Sequence, residues 1–271
     1  MTLSGKAGEF LALHVPGRPV LQLNAFDVGS ARLLESLGIP AIATTSAGYA
    51  ATLGRVDGVI GREETLAHCR AIADAVAVPV AGDTENCFAD SPEGVAAFVV
   101  EAAAAGLAGC SIEDWSGSAT YDIGFAAERV AAAAEAAHGA SGNLVLTARA
   151  DGAFHGTDDL DSVIRRLQAF SAAGADVLYA PGFGALDDIR RIIGETDKPV
   201  NVLVNVAVSG RSPTIGELAE AGAARISIGG SFAFVAYAAV IDAVRELTDA
   251  GTSTYSDAIV AARDTIRRAL R

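Results

Sequence analysis

Lysine is almost missing from this 271-residue chain, with Lys6 and Lys198 the only two. Lys6 lies ahead of the first predicted strand. Lys198 directly precedes the seventh, on the rim opposite the one where barrel chemistry gathers. A Schiff-base mechanism, which needs an amine inside the pocket, is thereby excluded. Cysteine is nearly as scarce. Cys69, Cys87 and Cys110 are too few and too odd in number for a disulfide framework. Of the four histidines, His14, His68 and His138 fall on helices or flanks, and His155 alone lies in a loop on the functional side. Positive charge is also deficient. A net charge of −13 argues against nucleic acid and anionic membrane surfaces as partners and suits solubility. No apolar run approaches the roughly 18 residues of a membrane span. Residues 1–10 carry neither the apolar core nor the cleavage pattern of a signal peptide. A reduced, cytoplasmic setting is the expectation.

What the chain does have is a rhythm. Amphipathic, Ala-rich stretches end near Gly or Pro, and short apolar runs follow. Eight such runs occur, at Val20–Asn24, Pro40–Thr44, Pro79–Asp83, Gly109–Glu113, Leu144–Arg149, Asp176–Ala180, Pro199–Leu203 and Arg225–Gly229. Helices are predicted between them at 28–37, 62–76, 92–105, 124–138, 158–173, 185–195, 214–221 and 232–249, with one more at 255–269. The runs do not alternate, as expected of parallel strands covered on both faces. Strand–helix alternation repeated eight times predicts a single (β/α)8 TIM-type barrel over 1–271, with 250–271 as a C-terminal helical extension. The alternative is a doubly wound sheet. The first strand ends in Asn24-Ala25-Phe26-Asp27 instead of a G-x-G-x-x-G turn, which counts against a dinucleotide-binding version of it.

Functional residues of such barrels sit at the C-terminal strand ends. There the sequence places Thr44-Thr45-Ser46-Ala47-Gly48, Gly82-Asp83-Thr84-Glu85-Asn86, Ser111-Ile112-Glu113-Asp114 and Ala148-Arg149-Ala150-Asp151, with Asp57-Gly58 in the long loop after the second strand. Acids at adjacent strand ends share one rim comfortably only when a cation neutralises them. Carboxylates without a histidine or thiolate cluster are hard ligands, suited to Mg2+ or Mn2+ rather than zinc. Asp83, Glu85, Glu113 and Asp57 are therefore the candidate metal ligands, Asp83 foremost. Arg149 can grip a substrate carboxylate with its guanidinium fork, or form a salt bridge to Asp114 or Asp151. Ser46, Ala47 and Gly48 offer backbone N–H groups and a hydroxyl to an oxyanion, or form a tight turn.

Taken in register, these segments and Asn24–Arg32 resemble the isocitrate lyase/phosphoenolpyruvate mutase superfamily over about residues 18–240. The resemblance implies Mg2+-dependent chemistry on small 2-oxo acids through a pyruvate-like enolate. It implies Asp83 on the metal, with Asp57, Glu85 and Glu113 holding its waters. Thr44, Ser46, Ala47, Gly48, Asp83 and Arg149 would form the substrate site, Asn205 would line its far side, and Arg149, Glu113 and Ser46 would be catalytic. It also implies a homotetramer in which the last helix swaps between barrels.

Two departures bear on the reaction. The Lys-Lys-Cys-Gly-His loop of the isocitrate-cleaving lyases is missing, and Cys87 stands where a glycine is usual. The mutase lysine motif is missing too, since Trp115 follows Glu113-Asp114. The expected function is a C–C bond lyase or decarboxylase acting on an oxaloacetate-like 2-oxo acid. The alternatives are P–C bond chemistry, like that of phosphoenolpyruvate mutase or carboxyvinyl-carboxyphosphonate phosphorylmutase, and a non-catalytic 2-oxo acid binder. The Gly- and Ser-containing loop at 115–122 is placed to close over the pocket.

Overall fold

A computed structural model describes residues 3–204 and 212–271. Helix α1 (Gly5–Ala12) comes first, followed by β1 (Val20–Asn24), α2 (Val28–Ser36) and β2 (Ala41–Ala43). Two helices follow β2, namely α3 (Ser46–Thr52) and α4 (Arg62–Ala75). Regular alternation then runs through β3 (Val80–Gly82), α5 (Pro92–Ala104), β4 (Gly109–Glu113), α6 (Ile123–His138), β5 (Val145–Arg149) and α7 (Leu160–Ala172). It continues with β6 (Val177–Tyr179), α8 (Leu186–Gly194), β7 (Val200–Leu203), α9 (Ile215–Glu220) and β8 (Arg225–Ser227). The chain finishes with α10 (Ser231–Arg245), a π-helical turn (Glu246–Ala250) and α11 (Ser256–Ala269).

The eight strands are parallel and close into a barrel in chain order, with β8 paired to β1. This is the predicted (β/α)8 architecture, each strand falling within its predicted run. Asn24 locks the seam. Its amide donates to the Thr44 carbonyl at 2.7 Å, and its Oδ1 accepts from the N–H groups of Ile228 and Gly229 at 3.1 and 3.0 Å.

Local chemistry sets the element ends. Asp27 and Ser30 form a capping box on α2, Thr214 and Glu217 form another on α9, and Ser91 caps α5 ahead of Pro92. Gly174 and Gly222 reverse the chain after α7 and α9 with φ of 105° and 95°, a conformation that only glycine adopts without strain.

Helix α1, which the periodicity did not announce, plugs the barrel floor. Phe10 is fully buried among Val20, Ala41, Ala81, Ala108, Val145 and Val177. Burying such a ring contributes about 1.5–3 kcal/mol. Gly109 makes the room, because a Cβ there would stand 2.9 Å from the ring. Above the plug the barrel interior is polar. Arg225 donates to Asn201 Oδ1 at 3.0 Å and Thr147 Oγ1 at 3.1 Å, with His14 Nε2 at 3.3 Å, and burial pulls its pKa down to about 9.

Two expectations are refined. Ser46–Gly48 is the first turn of α3, capped by the Thr45 hydroxyl, not a tight turn. The helix predicted at 232–249 is α-helical as far as Arg245 and ends in the π turn, with Gly251 at φ 67° stopping it. Only Ala233 of α10 is buried, while Phe234, Val235 and Val240 are 54%, 63% and 60% exposed. Among the described residues no helix is long and apolar enough to cross a membrane, and all three cysteines are free and buried.

Candidate active site

Parallel pairing brings the predicted residues level with one another. Glu113 at the end of β4 lies opposite Arg149 at the end of β5, which lies opposite Tyr179 on β6. The Arg149 guanidinium is the hub. Nη1 meets Asp83 Oδ1 at 2.7 Å and Glu113 Oε1 at 2.8 Å. Nε and Nη2 grip the two oxygens of Asp151 at 3.2 and 2.9 Å. Of the two partners foreseen for Arg149, Asp151 is therefore the real one. Asp114 instead accepts from the Asp151 N–H at 2.8 Å and pairs with Arg166 at 3.2 Å.

Asp83 is held from three sides. Its N–H donates to Thr44 Oγ1 at 2.9 Å, its Oδ2 accepts from the Ser46 N–H at 3.0 Å, and its Oδ1 faces Arg149. Thr44 is 1% exposed, so its hydroxyl orients Asp83 and is not turned to the pocket. The first N–H of α3 points at this carboxylate, the polarity a helix start favours. Asp57 joins the cluster through the Ser46 hydroxyl, and the charges of Asp83 and Arg149 act on it.

The cluster is short of positive charge. Asp57, Asp83, Glu85, Glu113 and Asp151 surround one guanidinium. Burial, reinforced by Asp83 and Asp57, pushes Glu85 up to about 7. Burial raises Glu113 well above the usual carboxylate range; Arg149 opposes this while Asp151, Asp83 and Glu85 add to it. Asp57 is raised mainly by burial as well. Burial disfavours the charge of Arg149, but Asp151, Glu113 and Asp83 more than offset it and hold the group charged. A set of oxygens that resists its own ionisation is what a hard divalent cation would relieve. Among the described residues, no three acidic, histidine or cysteine side chains converge to close a cage unaided. Mg2+ keeps several of its waters, so one direct carboxylate with others reaching those waters is a fitting arrangement.

Sequence reasoning missed the frame that shapes this site. The β3–α5 loop carries three non-glycine residues at positive φ: Glu85 at 46°, Cys87 at 60° and Phe88 at 53°. Such backbone persists only where its surroundings over-determine it. Arg129 of α6 supplies that restraint. It is 1% exposed and donates to four carbonyls, those of Asp90, Glu113, Asn86 and Ala89, at 2.7–3.1 Å. Its guanidinium also lies 4.1 Å from the centre of the Tyr121 ring, whose hydroxyl donates to Asp90. Arg166 of α7 pairs with Asp158 at 2.9 Å and donates to the Tyr121 carbonyl at 2.9 Å, tying the loops after β4 and β5 together. The chain offered no local signal for either arginine, since each is defined by partners at least several residues, and mostly tens of residues, away.

The 115–122 segment is braced by its own bonds. Trp115 and Thr120 form an antiparallel bridge, and Ser116 N–H donates to the Ala119 carbonyl at 2.9 Å. Cys87 is fully buried, with burial pushing its thiol up to about 12, so it packs as a small inert side chain. Asn205 lies outside the described residues.

A parallel eight-stranded barrel with an acid-rich cluster around one arginine at its C-terminal strand ends belongs to the class of α/β-barrel enzymes with a carboxylate-lined site. Comparison with known proteins narrows this. The family model described as phosphoenolpyruvate phosphomutase matches residues 10–248. An uncharacterised protein of Mycobacterium tuberculosis is 31% identical over 82% of this chain and 81% of its own length. The 2-methylisocitrate lyase of Salmonella typhimurium is 29% identical over 79% of this chain and 74% of its own. A solved structure from Burkholderia cenocepacia J2315, described as a candidate lyase/mutase, has a TM-score of 0.91 and 41% identity, covering 97% of this chain and 94% of that one. The crystal structure of 2,3-dimethylmalate lyase aligns with a TM-score of 0.82 at 25% identity, over 94% and 90% of the two chains. The chain belongs to the isocitrate lyase/phosphoenolpyruvate mutase superfamily of enzymes.

Proposed function

We propose that this protein is a Mg2+-dependent C–C bond lyase or decarboxylase acting on a small 2-oxo acid, with oxaloacetate as the parent substrate. The carrying observation is the cation-deficient cluster, in which Asp57, Glu85 and Glu113 are all held above their ordinary pKa range beside Asp83. Asp83 would hold Mg2+ (or Mn2+) directly, and Asp57, Glu85 and Glu113 would hold its waters. A divalent cation bound there supplies Lewis-acid stabilisation of negative charge on the 2-oxo oxygen. Arg149, anchored by its two-point grip on Asp151, orients the substrate carboxylate with its remaining N–H groups. Ser46 and Ala47 at the start of α3 line the side towards the oxo group, while Gly48, expected beside them, is buried with its N–H on Thr45 Oγ1 at 3.2 Å and offers the substrate nothing. In decarboxylation the C3–C4 bond breaks, its electron pair enters the C2–C3 enolate, CO2 leaves, and a solvent proton returns to C3. No cysteine acid is needed, in keeping with an inert Cys87.

The test is pyruvate release from a panel of 2-oxo acids with and without EDTA. Metal-dependent turnover, reduced about a hundredfold or more by Asp83→Asn, is expected for loss of a group acting in the transition state. Turnover indifferent to EDTA would overturn the assignment. P–C bond chemistry is the weaker reading, because no lysine stands near the cluster to neutralise a transferring phosphoryl group. The apolar residues that α10 leaves exposed support a homo-oligomer, for which the family resemblance implies a tetramer. Sedimentation as a monomer at micromolar concentration would contradict that.

A further inference from the structure

The loops after β4 and β5, at the same rim as the carboxylates, carry an aromatic feature that the proposed chemistry does not use. Trp115, the only tryptophan in the chain, stacks on His155 with ring centroids 3.8 Å apart and an interplanar angle of 10°. Phe154 meets the edge of the same imidazole at 5.4 Å and 85°. Chain position sets the placement, with both rings in loops that leave the C-terminal ends of neighbouring strands β4 and β5. Glu113 at the end of β4 meets Arg149, Asp114 pairs with Arg166 on α7, and Trp115 follows at once, half-buried at the rim that carries the cluster. His155 rides on a turn whose first residue is Asp151, the two-point partner of Arg149, with the His155 N–H on the Asp151 carbonyl at 3.2 Å. The bridge from Trp115 to Thr120 and the bond from Tyr121 N–H to the Asp114 carbonyl at 2.9 Å hold the indole's backbone in place. The wall is therefore preformed.

We infer that the Trp115–His155 stack is a specificity wall that receives an uncharged apolar or aromatic substituent on C3 of the 2-oxo acid, beside the group that departs. The inference rests on the reading of the site given above and names the substrate class within it. Charge decides the kind of substituent. The arginines at this rim have commitments of their own: Arg149 holds Asp83, Glu113 and Asp151 and keeps its remaining N–H groups for the substrate's C1 carboxylate, and Arg166 holds Asp114 and Asp158. The acids around these two arginines outnumber them, five to two, and the face of an aromatic ring repels an anion as well. A second carboxylate or a phosphonyl group would meet no uncommitted guanidinium there, whereas a phenyl or branched alkyl group would find a flat ring face.

The experiment measures binding of non-reacting probes in Mg2+ by calorimetry and, in the wild type, by quenching of Trp115 fluorescence. Oxalate probes the carboxylate and cation site alone; pyruvate, phenylpyruvate and 2-oxoglutarate probe the wall. Phenylpyruvate is expected to bind the wild type about tenfold more tightly than pyruvate, with 2-oxoglutarate no tighter than pyruvate, the scale of one well-placed aromatic contact plus its burial. Trp115→Ala should bring phenylpyruvate and pyruvate to near parity and leave oxalate binding unchanged. His155→Ala, at an exposed side chain, keeps the test open should the tryptophan variant not fold, and should cost at least about threefold of the preference. Equal binding of phenylpyruvate and pyruvate to the wild type, or a preference that survives in the folded variants, overturns the wall while oxalate binding upholds the site beneath it. Failure of oxalate to bind the wild type overturns the site, and the wall with it.

Discussion

Replacing Arg149 by methionine keeps most of the side chain's length and removes the one cation at the centre of the cluster. Three carboxylates then lose their partner: Asp83, Glu113 and Asp151, whose side chains are only 18%, 12% and 2% exposed. Removing one partner of a buried ion pair costs about 3–5 kcal/mol. Three pairs sharing one guanidinium do not add, because protonation of one acid relieves the others, so the whole loss should stay near that figure. For a domain of this size it corresponds to a fall in Tm of roughly 10 °C. Two rescues follow. At one fixed concentration Mg2+ should stabilise the variant more than the wild type, by about 2.7 kcal/mol where that concentration is about a hundred times the variant's dissociation constant, because in the wild type Arg149 competes for the same oxygens and raises that constant. Acid should also help. Glu85 and Glu113 are already raised in the folded protein, and without the guanidinium they rise further, so the native state takes up protons before the unfolded chain as pH falls. The variant's own stability should therefore rise as the pH falls from about 7 towards 5. Thermal melts of both proteins across that range, with and without Mg2+, read all of this. A loss under about 1 kcal/mol, or Mg2+ shifts that match in the two proteins, would refute the charge-deficient cluster.

Three further outcomes are expected. Gly109→Ala places a Cβ 2.8 Å from the Val145 carbonyl oxygen and 2.9 Å from the Phe10 ring, and should cost about 1–3 kcal/mol in urea unfolding; an unchanged midpoint would refute the account of the floor. His68 stacks on Tyr49 at 3.7 Å with its Nε2 unbonded among the described residues, and burial lowers its pKa to about 4. Its contribution is present above pH 6.5 and lost as pH falls towards 4, so His68→Phe should flatten the acid side of the stability profile by up to about 3 kcal/mol relative to the wild type; parallel profiles would count against it. Arg129→Met should expose the 85–90 loop to limited proteolysis and weaken Mg2+ binding, with wild-type metal affinity the result that refutes its positioning role.

The barrel could be seen in the sequence because burial on both faces leaves each strand as an unbroken apolar run, and eight repeats of it admit few architectures. Asp83, Glu113 and Arg149 could be found because strand ends are where an acid or base inside a barrel has a reason to be. Helix α1 was hidden by its brevity and by Gly5 at φ 55° at its start. Helix α3 was hidden by small residues without a marked apolar face, although Thr45 three residues ahead of Gly48 was a usable cap signal. Arg129, Arg166 and the Trp115–His155 stack are tertiary facts. Each joins residues that neither period 2 nor period 3.6 relates, and no single-chain pattern encodes such a meeting.

The grip of Arg129 on the 85–90 loop has a consequence for how this protein can change. It recognises peptide oxygens, which every amino acid carries, and is indifferent to the identity of residues 86 and 89, whose carbonyls it holds. The shape of the turn is thus insured separately from its chemical content. New side chains can be tried at the lip of the pocket while Glu85 and Glu113 stay where they are, and divergence in specificity need not begin by dismantling the site.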